Sequence, residues 1–260
     1  MRSPTLASIL LFILHASVFS QMALGAGGRL QAEGPELVLS LEDGRVLRGD
    51  NLIGIRFVLT GQEGAIQVRI DGAEEDKTAT GGPLLLYRLS IHSPNGEEKG
   101  PFCSSDPQGR SAGFAMPDGA GGFSFTCTSG AEGKCVRMGY RPWEKRDGLP
   151  LQELHRACVH MLRADYGGDN RPTTRNGTSV DIFDRFGIQT SEKADGMQFE
   201  GAWGGDGALC VAHPRIAQNI TLEDIAARFP RLAGRLGPEK CSLEAMRAEP
   251  RAILFNHSYP

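Results

Sequence analysis

The side chains best suited to chemistry concentrate between residues 155 and 184. His155, His160, Asp165, Asp169 and Asp181 all lie there, and a His beside a carboxylate is the minimum equipment for general acid–base hydrolysis. His155, Asp165 and Asp169 are therefore the candidate catalytic residues. The two His stand five positions apart on one helix-like run, so at roughly 100° per residue they point about 140° apart. They cannot chelate as the two His of an H-E-x-x-H helix do. His155 falls on the apolar side with Leu151 and Leu154, while His160 shares the polar side with Arg156 and Arg163. The plainer reading is one His at the edge of a core and one in solvent. Asp165, Asp169 and Asn170, followed by Asp181 and Asp184, offer oxygen ligands for Ca²⁺. Their spacing is not that of an EF-hand, and Asp or Asn beside Gly is ordinary turn chemistry. No metal is assigned.

Other motifs weaken when their context is read. Gly109-Arg110-Ser111-Ala112-Gly113 spells G-x-S-x-G. A nucleophile elbow needs a strand before it and a helix after it. Asp106-Pro107-Gln108 and the run from Phe114 to Gly119 supply neither. A chain with 34 Gly in 260 residues produces a G-x-S-x-G match by composition, and the order Ser111, Asp184, His213 imitates a hydrolase triad only as many random triples would. Neither a P-loop nor a G-x-G-x-x-G leading into a helix occurs, so no cofactor is assigned. The absence of C-x-x-C argues against structural zinc. Trp143 and Trp203 could stack on sugars, although packing in a core is the commoner use. A net charge of −3 provides no basic field for phosphate backbones, which argues against nucleic acid as a partner.

Residues 1–25 have the layout of a secretory signal peptide: Arg2, an apolar run from Leu6 to Phe19, then small residues at candidate cleavage sites near Ser20 and Gly25. The run is shorter than a membrane span needs, and no later segment approaches one. The expectation is an exported protein, periplasmic or extracellular, whose residues 26–260 form a single domain. Arg outnumbers Lys 22 to 6, the usage of a GC-rich bacterial genome. Export turns Cys103, Cys127, Cys135, Cys158, Cys210 and Cys241 into disulfide candidates. Cys127 and Cys135 flank a short loop between two strand-like runs, so they could pair across a hairpin, or each could staple a strand to a distant element. Sequons occur at Asn176, Asn219 and Asn256; unmodified Asn is the expectation.

The elements that must position these residues come in two styles. Strand-like runs cover 36–41, 53–60, 65–70, 83–92, 122–127 and 134–139, with a loop over 72–82 and a long irregular connection over 93–122. Helical spacing then appears from Pro150 to Ala164, with Gly167-Gly168 at its exit. Short strand-like runs follow at 179–183, 197–203 and 208–212. A second helix is expected over 222–229, capped by Thr221 and Asp224, and a third after Ser242. Hydrophobic residues at 40% and charged residues at 23% suffice for a packed core. The fold class is α+β: short antiparallel strands with one main helix and smaller C-terminal helices, stabilised by disulfides.

The runs from Phe125 to Ala131, Lys134 to Trp143 and His155 to Tyr166, then Gly177-Thr178 with Asp181, Trp203, and Gly207 to Val211, resemble the ADYC domain family over about residues 50–215. Those are exported bacterial proteins without an established biochemical activity, so the resemblance supplies no catalytic residues. The family is named for Ala-Asp-Tyr-Cys, whereas this chain reads Ala164-Asp165-Tyr166-Gly167. If that cysteine is paired in the family, the resemblance implies that one family disulfide is absent or rewired here. Two functions are carried forward: a non-catalytic binding or structural domain, and a secreted hydrolase of envelope polymers with its chemistry near residues 155–184.

Overall fold

The computed structural model describes residues 19–23, 27–61, 64–146 and 148–260. Most of the signal-peptide segment lies outside the described residues. Within it, Phe19–Ala23 (β1) pairs as a strand with β5 (Arg56–Gly61). Two antiparallel assemblies make up the rest. In the first, β1, β5, β6 (Gly64–Asp76), β7 (Leu84–His92), β9 (Gly113–Pro117) and β10 (Phe123–Cys127) follow in that spatial order, with β8 (Glu98–Pro101) also on β7. A three-stranded sheet of β2 (Gly28–Glu33), β3 (Glu36–Leu41) and β4 (Val46–Arg48) shares its core, in which Leu37, Leu39, Phe57, Leu59, Val68, Ile70 and Phe123 are buried.

The second assembly begins with α1 (Ala131–Arg137), continues through the short pair β11 (Lys145–Arg146) and β12 (Leu149–Pro150), and reaches α2 (Gln152–Arg163). A four-stranded sheet follows, built from β13 (Val180–Asp184), β14 (Gln198–Gly204), β15 (Gly207–Val211) and the C-terminal β16 (Leu254–Ser258). Its order is β13-β16-β14-β15, so the last strand is an inner one. Helices α3 (Leu222–Arg228) and α4 (Leu243–Arg247) lie between β15 and β16 in the chain. Leu154, Cys158 and Met161 of α2 pack with Trp203, Val211 and Leu254 of the sheet. The fold is mixed α+β with strands dominating.

Several expectations need correction. The strand expected over 134–139 is α1, seven residues long. So short a helix completes scarcely two turns and displays no period to read. It lies so close to the end of β10 that a Cβ on Gly133 would stand 2.2 Å from the Cys127 carbonyl oxygen. With no hairpin there, Cys127 does not pair with Cys135. The disulfides are Cys103–Cys127, Cys135–Cys158 and Cys210–Cys241, and no cysteine is free. Cys158 accordingly ties α2 to α1, not to a sheet. The loop expected from residue 72 instead continues as strand β6 to Asp76, past a register shift between Ile70 and Gly72. The connection over 93–122 contains β8 and β9. Pro150 belongs to β12, two residues before α2 begins. β2 and β16 are further strands, outside the runs read from the sequence.

Asp76 joins the two assemblies. Its carboxylate accepts from Arg137 Nε of α1 at 2.6 Å and from the Thr78 hydroxyl at 2.6 Å, with Arg110 Nη1 at 3.2 Å. Burial opposes its ionisation, but the bonds from Thr78 and Arg137 outweigh that and bring the pKa from 3.8 to about 2. A carboxyl whose pKa is depressed by folding contributes stability above its unfolded pKa and loses it as pH falls through the folded one. At 1.36 kcal/mol per pH unit the contribution is about 2 kcal/mol, fully present above about pH 4 and lost towards pH 2. In urea titrations at pH 5 and pH 2, the wild type should therefore lose about 2 kcal/mol more than Asp76→Asn between the two conditions. Equal losses would contradict this role.

Candidate functional site

The segment singled out for its chemistry begins where α2 ends. The helix terminates in a left-handed residue, Ala164 at φ 48°, which is uncommon for a residue with a Cβ. Three contacts hold it there. Thr173 Oγ1 donates to the Ala164 carbonyl at 2.6 Å, the Asp165 amide donates to the His160 carbonyl at 2.9 Å, and His160 Nδ1 lies 2.9 Å from Asp165 Oδ2. Asp165 also accepts from the backbone amides of Asp169 and Asn170. Burial opposes ionisation of Asp165, yet the His160 bond and the Asn170 amide hold its carboxyl below the usual range. Its position is that of a loop anchor.

Behind this turn lies a buried polar network. Glu200 accepts from Arg215 Nε at 2.9 Å and Nη2 at 3.0 Å, from Tyr166 Oη at 3.1 Å and from Asn256 Nδ2 at 2.7 Å. Asn256 Oδ1 accepts from Trp203 Nε1 at 2.8 Å. Arg215 also donates to the carbonyls of Met161 and Leu162, satisfying the open C-terminal end of α2. Burial keeps the Tyr166 phenol protonated, raising its pKa well above 10. A bidentate Arg–carboxylate pair with its remaining donors satisfied is a form in which buried charge is tolerated.

On the outer side of the same arginine a cleft opens. Its volume is about 440 Å³, and four segments line it: Ser129 to Lys134 at the start of α1, Leu162 and Arg163 at the end of α2, the stretch from Pro172 to Val180, and Arg215. The size is that of a small-molecule site. Its charged lining residues are Lys134, Arg163, Arg175 and Arg215, with no acidic side chain among the described lining residues. Ser129, Thr174, Asn176 and Thr178 add hydroxyl and amide groups.

The residues proposed from sequence separate in space. His155 is buried on α2 against α1, with Nε2 3.4 Å from the Glu132 carbonyl. Burial lowers its pKa and leaves it neutral at pH 7. Asp165 meets His160 instead. Asp169 stands beside Arg171 and Arg228, at 3.6 and 3.7 Å. Asp181 accepts from Ser191 and sits 2.8 Å from His257 Nδ1. Asp184 accepts from Tyr140 Oη and three backbone amides. Among the described residues no three metal-ligating side chains converge. Ser111 contacts Ser105 and His213 contacts the Pro214 carbonyl, so Ser111, Asp184 and His213 are spent on different partners. Trp203 is a core residue stacked on Tyr166 at 5.5 Å, and Trp143 lies edge-on to Phe114. Asn256 of the third sequon is fully buried. Sequence reasoning missed Lys134, Arg175, Glu200 and Arg215, which are far apart in the chain and follow no local period.

Comparison with known families bears on this same region. The ADYC domain matches residues 49–217. The chain belongs to the ADYC domain family. Every residue lining the cleft lies inside the matched span, as do the Cys103–Cys127 and Cys135–Cys158 bridges. Cys210–Cys241 crosses its C-terminal limit, and β16 lies beyond it. The tetrapeptide at residues 164–167 sits at the centre of the arrangement: Ala164 caps α2, Asp165 anchors the loop and Tyr166 enters the Glu200 network. At Gly167, the fourth position, a Cβ would stand 2.1 Å from Cε1 of Phe229, whose ring fills the space. All six cysteines pair among themselves. No curated protein and no solved structure matches the chain.

Proposed function

We propose that this ADYC domain is an exported, disulfide-stabilised binding module that takes a small ligand in the cleft beside Arg215 and does not transform it. The cleft carries the reading: four chain segments converge on it with polar groups, and the Cys135–Cys158 bridge and the Glu200–Arg215 pair brace its walls. Pre-formed walls reduce the ordering cost of binding. The leader-like residues 1–25 support export, and three disulfides suit an oxidising compartment.

The rival reading, hydrolysis of envelope polymers by the 155–184 segment, has the His160–Asp165 pair in its favour. Against it, Asp165 is already committed to two backbone amides and His155 is buried and neutral. A fragment screen followed by amide chemical-shift mapping distinguishes the two. Binding predicts hits whose perturbations cluster at residues 129–134 and 172–178, with the ligand recovered intact by mass spectrometry. Perturbations scattered over the surface, or a cleaved ligand that is spared by Asp165→Ala, would overturn the proposal.

A further inference from the structure

We propose that the ligand of this cleft is anionic and is held through an oxyanion group (carboxylate, phosphate or sulfate) by Lys134 and Arg175. The inference rests on the cleft being the binding site and adds the chemical class of what it binds. Four cations line the space, but they are not equivalent. The charge of Arg215 is matched by Glu200 through two hydrogen bonds, and Nη2 of Arg163 donates to the Asn170 carbonyl. Lys134 is half-buried on α1 and Arg175 is exposed on the loop. Among the described residues neither has a carboxylate partner, although most of the chain's other buried or half-buried cations do.

Holding an ammonium partly out of water without a counter-charge is unfavourable. An anion entering the cleft would restore that interaction with charge-assisted hydrogen bonds. The rest of the lining suits the same guest. Ser129 and Asn176 present groups able to donate to oxygen, and no acidic side chain would repel it. The whole chain carries a net charge of −3, so a wholly positive cleft runs against the balance of the molecule. Arg215, which the fold needs, lies at the back, leaving Lys134 and Arg175 as the two charges available to a guest.

The test is isothermal titration at low ionic strength with inorganic phosphate, sulfate, citrate and neutral glycerol. Wild type, Lys134→Gln, Arg175→Gln, the double variant and the exposed control Lys145→Gln are compared, with thermal melts confirming that each is folded. At least one oxyanion should bind while glycerol does not. Each single substitution in the cleft should weaken binding roughly tenfold, as the loss of one charge-assisted bond implies, and Lys145→Gln should not. Preference for phosphate and sulfate over citrate, or the reverse, assigns the source of the oxyanion. Failure of all three anions to bind, or equal affinity in the double variant, would refute the anionic class. If fragments still perturb residues 129–134 and 172–178 in that event, the cleft remains the binding site and only its charge selectivity is lost; if nothing perturbs them, both inferences fall.

Discussion

Ending the chain at Ile253 should abolish cooperative folding of the second assembly, whereas ending it at Ser258 should leave stability nearly unchanged. The difference is β16. It pairs with β13 on one side and β14 on the other, so its loss breaks two ladders and opens two strand edges. All five of its residues are buried. Leu254 and Phe255 each represent roughly 1.5–3 kcal/mol of apolar burial. Asn256 links Trp203 to Glu200, so its loss would leave Trp203 Nε1 without an acceptor inside the core and take one donor from Glu200. Together these losses rival the ~5–15 kcal/mol of total stability that a domain normally has. Tyr259, by contrast, is half exposed and its removal with Pro260 touches no ladder. Thermal melts followed by circular dichroism would decide it. A chain ending at Ile253 that melts cooperatively within a few degrees of the full protein would show that β16 is dispensable. The family match stops at residue 217, so this experiment also asks whether the matched segment can stand without the strand that completes its sheet.

The second large effect is expected at Glu200. Replacing it with Ala should cost about 3–5 kcal/mol, because Arg215 would remain buried with its charge uncompensated. Tyr166 and Asn256 would lose an acceptor as well. Glu200→Gln keeps the shape and one acceptor oxygen and should fall between Ala and wild type. The double variant Glu200→Leu with Arg215→Met should be less damaging than the sum of its single substitutions, since removing both charges removes the uncompensated one. It will not be neutral, because Arg215 also satisfies the Met161 and Leu162 carbonyls at the end of α2. Urea denaturation measures each of these variants, the two component single substitutions included. A loss below about 1 kcal/mol for Glu200→Ala would mean that water reaches the pair and that the network is not a structural centre. The same series bears on the cleft, whose rear wall is Arg215. Loosening the network should weaken ligand binding even where Lys134 and Arg175 are intact.

Local patterns in this chain were informative wherever a single element dictates its own geometry. Alternation through Val68 and Ile70 marks β6, although Ile66 at its start is exposed, and the helical spacing of Leu154, Cys158 and Met161 marks α2, because burial of one face imposes a period of two or of about 3.6. Thr221 and Asp224 announce α3 and form the reciprocal cap expected of them. The even count of six cysteines anticipates complete pairing. The ADYC blocks place the family from residues alone. Tertiary structure alone decided the rest. The partners of Cys127 and Cys135 depend on whether residues 131–137 turn as a hairpin or a helix, and a seven-residue helix is too short for its period to tell. The central place of β16 depends on pairing with strands more than fifty residues earlier. Glu200 meets Arg215, and Lys134 and Arg175 come to line one cleft, only after the second assembly folds around α2. Hydrophobic period is a property of neighbours in the chain. A binding cleft and a buried charge network are properties of distant segments brought together, so no window along the sequence contains them.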